Sequence, residues 1–312
     1  MKAVFIDTDC GVDDAVAIGI ALAAPGLKVA GVSTVNGNVG LEQVTANVVR
    51  LLPLFGRGDI PVFRGADTPL VAEPCHAAGV HGNNGLGNIR LPDFRKAAQE
   101  QGAAEGLLQT ARANPGLILV ALGPLTNVAV ALKRYPELER LIGQIVSMGG
   151  AVGPGNVTPY AEFNYYADPE SVQVVLDGKV ALTAVTWDAE LEAAHSEQQL
   201  LALGLGECAA GRLFLEMHQV FFTHIERISG SRKAMLPDPL AMAYVVDPSL
   251  AVRVVEADLR IEASDSPRRG AIAAVPGKRA RLVTQIDKGA FQRVLLGIGS
   301  LSLRGNEEIN SR

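Results

Sequence analysis

Short apolar runs rich in β-branched residues alternate with helical patterns along most of the 312-residue chain, and that alternation restricts it to an α/β architecture. Residues 3–6 read as a strand, followed by a helix over 13–24 that Pro25 and Gly26 stop. A second strand is expected over 28–35 and an amphipathic helix over 41–54. Residues 117–122 are almost wholly apolar, and a helix opened by Pro124 runs to about Arg134. Strands over 145–148 and 180–187 flank a helix over 169–176. Strands apolar on both faces belong to a mostly parallel sheet with helices on both faces. The C-terminal third, from Arg253, reads instead as antiparallel additions, with strands near 254–261 and 280–286 and a closing helix near 290–296.

Composition narrows the partners. The net charge of −5 gives no basic face for nucleic acid. The apolar stretch 15–24 is too short to span a bilayer, so no membrane partner is expected. After Met1 and Lys2 the chain enters a strand directly, which predicts no N-terminal signal. Three widely spaced cysteines fit a reducing compartment, and a cytoplasmic location is the expectation. No shift of composition marks a linker, so residues 1–312 are read as one domain.

In parallel sheets ligands bind beyond the carboxyl ends of the strands. That rule gathers residues 7–14, 35–38, 122–123 and 148–150 around one crevice. The first of these, DTDCGVDD, holds Asp7, Asp9, Asp13 and Asp14 directly after a buried strand. Like charges so close destabilise a fold unless a cation, a proton or a ligand lies among them. The dipole of the following helix stabilises each by only about 0.3–1 kcal/mol. Carboxylates and main-chain carbonyls, without Cys-His spacing, favour calcium or magnesium over zinc. The plainer alternative is that two of the aspartates cap the helix and the rest are solvated. Asp238, in LPDPLAMAYVVDP, reads as the N-cap of an apolar helix begun by Pro239.

A second informative stretch is GNVTPYAEFNYYADPE, residues 155–170. Asn156, Glu162 and Asn164 lie there among aromatics, a combination suited to gripping a sugar. Asn38, in VNGN, adds an amide to the same crevice. The glycine-rich segment 79–87 interrupts the alternation and reads as a mobile loop. Its GNNGLG has the wrong spacing for a dinucleotide site.

Taken together, DTDCGVDDA, VNGN, HGNNGLG, LGPLTNVA, GNVTPYAEFN, DPE and DPLA resemble the inosine–uridine-preferring nucleoside hydrolase family in order and spacing. The resemblance implies an open, Rossmann-like α/β sheet and calcium-dependent hydrolysis of ribonucleosides to free base and ribose. It implies Asp9, Asp14, Asp238 and the carbonyl of Leu122 as Ca2+ ligands, with Asp9 also the general base. It places Asp13, Asn38, Asn156, Glu162 and Asn164 at the ribose or its attacking water, Asp13 being a candidate catalytic residue as well. A homodimer or homotetramer is the implied assembly. Cys10 stands where the family often has proline, which leaves the carboxylates in place.

Many relatives carry a histidine immediately before the aspartate of DPLA, able to protonate the leaving base; here that position is Pro237. His81, which matches a family histidine and is also expected to touch substrate, and His224, in a helix read over 212–228, are the candidate replacements. Tyr160, Arg227 and Lys233 are weaker ones, and His76, His195 and His218 read as structural or surface residues. Two rivals remain at this level. Asp7 and Asp9 also fit a haloacid-dehalogenase-type phosphatase, whose nucleophile is such a strand-end aspartate. The loss of the histidine also fits a calcium-dependent nucleoside- or sugar-binding protein without turnover.

Overall fold

The computed structural model describes residues 1–304. Its strands are β1 (Lys2–Thr8), β2 (Leu27–Thr34), β3 (Val62–Arg64), β4 (Gln99–Gly102), β5 (Leu117–Ala121), β6 (Ile142–Met148), β7 (Leu182–Val185), β8 (His195–Ser196), β9 (Lys233–Ala234), β10 (Ala251–Ile261) and β11 (Ile272–Ile286). β8 and β9 pair with each other, and the remaining nine form one sheet in the order β10-β11-β7-β6-β5-β1-β2-β3-β4. All its neighbours run parallel except β10 and β11. The expected open, mostly parallel sheet with antiparallel C-terminal strands is therefore the fold.

Side chains alternate across a strand, so each face of the sheet builds its own core. Val4 and Ile6 of β1 pack with the helices Val12–Ala23, Leu41–Leu54 and Pro237–Val246. Phe5 points the other way, stacks on Phe63 at 6.0 Å between ring centroids, and joins the core formed with the helices Ala103–Ala113 and Thr126–Arg134. Each fully buried large side chain contributes about 1.5–3 kcal/mol, so β1, with Val4, Phe5 and Ile6 all buried, is firmly anchored for holding a site.

The chain leaves β1 toward β2 on one side and later returns to β5 on the other. Strand order reverses at β1, and the carboxyl ends of β1, β2, β5, β6 and β7 open into one crevice. Backbone pairing continues just past the strand ends, with Val35 N–H donating to Thr8 O at 3.0 Å and Leu122 N–H to Asp7 O at 2.8 Å.

Several local expectations need correction. β3 (VFR) has only three residues, too short for a pattern, and β4 (QEQG) is exposed and polar, so neither gave a strand signal. The helix read over 212–228 is two, Ala209–Met217 and Gln219–Ser229, broken at His218. The helix after β5 begins at Thr126, past Pro124. Asp238 is not an N-cap: the helix starts one residue earlier, at Pro237, with Leu236 capping and Asp238 in the first turn. The glycine-rich segment is not a free loop. Gly87 N–H donates to His81 O at 2.8 Å, Asn47 Nδ2 donates to Asn84 O at 2.8 Å, and Gly82, Gly85 and Gly87 take positive φ. A Cβ on Gly87 would collide with Met217 O, so the turn needs glycine to pack so closely. Among the described residues no helix is long and apolar enough to cross a membrane.

Candidate active site

β1 ends at Thr8 and delivers Asp9; the turn at Gly11 then starts the helix that carries Asp13 and Asp14. Asp14 is held from three sides. Its Oδ1 accepts from Thr8 Oγ1, and its Oδ2 accepts from Gly11 N–H at 2.8 Å and Asn38 Nδ2 at 3.2 Å. Asp9 Oδ2 accepts Asn38 N–H at 2.8 Å. Asp9 sits against Gly37 and Gly123, and a Cβ on Gly37 would collide with its carboxylate. Asp238 arrives from the helix Pro237–Val246, which packs on the helix bearing Asp13 and Asp14.

One oxygen each of Asp13, Asp14 and Asp238 lie within 4.8 Å of one another, all three residues being buried. Asp13 Oδ1 is buried without a hydrogen-bond donor. The one ion-pair neighbour of these acids among the described residues is His81, whose Nδ1 is 3.6 Å from Asp13 Oδ1. His81 does not neutralise them, because burial pulls its pKa down to about 4 and Val12 N–H donates to Nδ1 at 3.3 Å, leaving the proton on Nε2. Burial pushes Asp13 up to about 6. Asp9 and Asp238 are raised well above the usual range, first by burial and then by the neighbouring carboxylates. Burial and the charge of Asp13 raise Asp14 as well.

Four buried acids without a cationic partner are costly as anions. The unpartnered oxygen of Asp13 and the all-oxygen donor set fit a hard divalent cation. This close group holds Asp13 where the family pattern implies Asp9; Asp9 is joined to it through Asn38, which contacts both Asp9 and Asp14. The Leu122 carbonyl faces the same space and accepts Asn164 Nδ2 at 2.7 Å.

Asp13, Asn38, Leu122 and Asp238 form the floor of a cavity of about 400 Å³, the size of a small-molecule site. Asn156, Glu162 and Asn164 stand on one wall. Glu162 does more there than sequence suggested. It caps the helix Phe163–Ala167, with Oε1 accepting Asn164 N–H at 2.7 Å and Oε2 accepting Gly150 N–H at 2.8 Å and Tyr165 N–H at 3.2 Å, and burial raises it to about 7. Asn156 Oδ1 accepts Phe163 N–H at 2.9 Å, which leaves its amide nitrogen for a ligand.

The opposite half of the cavity is apolar. Trp187 and Leu191 come from the helix Trp187–Ala193, and Phe221, Ile225 and Ile228 from Gln219–Ser229, with Met235 between them. His224 lines this half and is half-buried; His81 and Pro237 border the floor. The resemblance placed the helix read over 212–228 beside the base pocket, and residues of it do line the cavity. Sequence reasoning named none of its apolar residues and missed Trp187 and Leu191, because apolar residues at helical spacing look the same whether they meet a core or a ligand. Tyr160 lies under Arg268, 4.5 Å from guanidinium carbon to ring centroid, and neither Arg227 nor Lys233 lines the cavity. His195 and His218 are buried away from it, and His76 is exposed, paired with Asn36 Oδ1 at 3.0 Å.

Asp7 is set apart from the cavity wall. Its Oδ1 accepts from Ser33 Oγ at 2.5 Å and Asn127 Nδ2 at 2.7 Å, and burial lifts it to about 6. A phosphatase nucleophile has to reach its substrate, so this placement argues against the haloacid-dehalogenase alternative. Asn127 and Asp168, which accepts from Thr126 Oγ1 at 2.6 Å and Leu70 N–H at 3.1 Å, brace the strand ends from below.

Comparison with known proteins agrees with this geometry. Residues 4–293 match the family model described as inosine-uridine preferring nucleoside hydrolase. The pyrimidine-specific ribonucleoside hydrolase RihA of Citrobacter koseri is 40% identical over 260 residues, covering 80% of this chain and 81% of that protein. A solved plant nucleoside hydrolase superposes with a TM-score of 0.89 at 31% identity, covering 96% of this chain and 99% of the other. The purine-preferring ribonucleoside hydrolase of Gardnerella vaginalis gives 0.89 at 27% identity, covering 96% and 98%. The strand-end acids, the polar wall and the family match along nearly the whole sequence converge: this chain belongs to the inosine-uridine preferring nucleoside hydrolase family.

Proposed function

We propose that this nucleoside hydrolase cleaves the N-glycosidic bond of ribonucleosides in the cavity above Asp13 and Asp238, with a calcium ion held by Asp9, Asp14, Asp238 and the Leu122 carbonyl. The carrying observation is that Asp13, Asp14 and Asp238 are buried with one oxygen each within 4.8 Å of one another and, among the described residues, no cationic side chain to neutralise them, Asp13 and Asp238 opening onto a cavity with one polar wall. A bound divalent cation would supply charge neutralisation and a lowered pKa for an attacking water. Asp9, fixed by Asn38 N–H, takes the proton from that water. Asn156, Glu162 and Asn164 grip the ribose, and Asp13 accepts from its hydroxyls. The ring develops positive charge as the bond to the base breaks, and the surrounding acids favour that charge.

The base lies against Trp187, Phe221 and Ile225. Pro237 has no proton to give, so the leaving group is served by His81 and His224. Neutral His81 carries its proton on Nε2 and acts as a hydrogen-bond donor rather than as a full acid. We infer that pyrimidine ribonucleosides are preferred, since the RihA relative named pyrimidine-specific has the higher identity and Pro237 withholds a proton from a purine nitrogen. We also infer a cytoplasmic enzyme that assembles as a homodimer or homotetramer, which light scattering checks. The test of the function is a panel of purine and pyrimidine ribonucleosides and deoxyribonucleosides with released sugar assayed. Free base and ribose from uridine and cytidine support the reading. Saturable binding without release would instead make this a nucleoside-binding protein.

A further inference from the structure

Residues 150–162 form a loop whose neck is closed by the Gly150 N–H to Glu162 Oε2 hydrogen bond. Its crest is exposed, Val152, Val157 and Tyr160 included, yet it carries Asn156 into the cavity wall. Such a loop keeps one shape only where its backbone is tied down. One tie comes from the other half of the cavity. Asp188 Oδ2 accepts Val152 N–H at 2.8 Å, and Asp188 Oδ1 accepts Gly153 N–H at 2.8 Å. Beside it, Trp187 N–H donates to Gly150 O at 2.9 Å. A Cβ on Gly153 would lie 2.9 Å from Asp188 Oδ1, so glycine permits the approach. Asp188 follows Trp187 in the first turn of the helix that supplies Trp187 and Leu191 to the apolar half. Hydrogen bonds to a carboxylate are roughly twice as strong as neutral ones, so this tie fixes the 152–153 limb of the loop, while Phe163 N–H to Asn156 Oδ1 and the Val157 and Thr158 N–H bonds to Ala161 O hold the other limb.

We infer that Asp188 is a positioning residue: by fixing Val152 and Gly153 to the base-side helix it sets the place of Asn156, so that sugar and base are gripped in register. The inference rests on the proposed contact of Asn156 with ribose. Asp188 is not on the cavity wall, and its effect passes through the loop.

A double-mutant cycle in the full-length, calcium-loaded enzyme tests this, reading KM and kcat for the best substrate of the nucleoside panel. Asp188→Ala is expected to raise KM about tenfold, and Asp188→Asn, which keeps one acceptor oxygen, by less. Asn156→Ala raises KM at least as much as Asp188→Ala, and the double variant is no worse than Asn156→Ala alone. Additive effects, or an unchanged KM in Asp188→Ala while Asn156→Ala raises it, overturn the inference and leave the reading of Asn156 standing. An unchanged KM in Asn156→Ala removes that reading and the inference with it. Should Asp188→Ala fail to fold, the same cycle built on Asp188→Asn decides.

Discussion

The two halves of the cavity are built on opposite principles. The sugar half hangs from strand ends, and its acids and amides are locked by bonds such as Asn38 N–H to Asp9 and Gly150 N–H to Glu162. The base half is made by two helices whose apolar side chains carry no mutual hydrogen bonds, with Leu191 and Ile228 on the exposed rim. Directional bonds suit a group that is the same in every substrate, here the ribose. Apolar contact suits one that varies, because a hydrophobic surface discriminates weakly between bases. On the proposed reading, the chemistry falls to the strand ends and contact with the base to the helices.

Breaking the sugar half should cost most. Asp9→Ala is expected to lower ribose release by about 10²–10⁴-fold, the usual worth of a general base, with the rate per protein read at saturating substrate. A loss under tenfold would move the base elsewhere in the acid cluster.

Next in size is the pH dependence of ion binding. The proposed ligands Asp9, Asp14 and Asp238 all have raised pKa values, first through burial, so the ion must displace protons from them. Calcium affinity, measured by calorimetry, should fall as pH drops, roughly tenfold per unit for each proton displaced. The sign for folding is the reverse. A carboxyl raised in the folded state stabilises it while protonated, so Asp7 and Asp13 make the chelated protein lose stability as pH rises from about 4 through about 6. His81 and His218, each lowered to about 4, work the other way, their contribution being lost as pH falls below 6.5. The raised acids, Asp9, Asp14 and Asp238 among them, outnumber these histidines. The melting temperature in chelator should therefore fall from pH 4 to pH 7, and calcium should restore it most at the upper end.

Changes in the base half should be smaller and should separate base from sugar. Trp187→Ala is expected to raise KM for nucleosides about tenfold while leaving inhibition by free ribose unchanged. Asn156→Ala should weaken both. A Trp187→Ala enzyme that also loses ribose inhibition would merge the two halves. The smallest effect is a gain: Pro237→His should speed purine hydrolysis roughly threefold or more, seen in kcat for inosine. No gain would mean that base activation does not limit the rate.

The same contrast explains what sequence could reveal. The parallel sheet was legible from apolar runs such as 117–122, and the acid cluster from four aspartates in eight residues, because charge crowding at a strand end has few explanations. β4 was not legible, being exposed and polar, and the break at His218 was hidden inside one continuous amphipathic pattern. Trp187 and Phe221 meet the same cavity from helices over thirty residues apart, and only folding brings them together. Asp188 carries no sequence signal of its own; its role follows only from the loop amides that folding brings to it.

The account stands on Asp9 just past β1, Asp13 and Asp14 in the helix Val12–Ala23, and Asp238 in the helix Pro237–Val246 needing a divalent cation. Ribose release from uridine should be assayed on enzyme stripped with chelator and then titrated with calcium. Loss of release on stripping and its return at one ion per chain is the predicted result; full activity in the stripped enzyme, with no ion bound on titration, would contradict it.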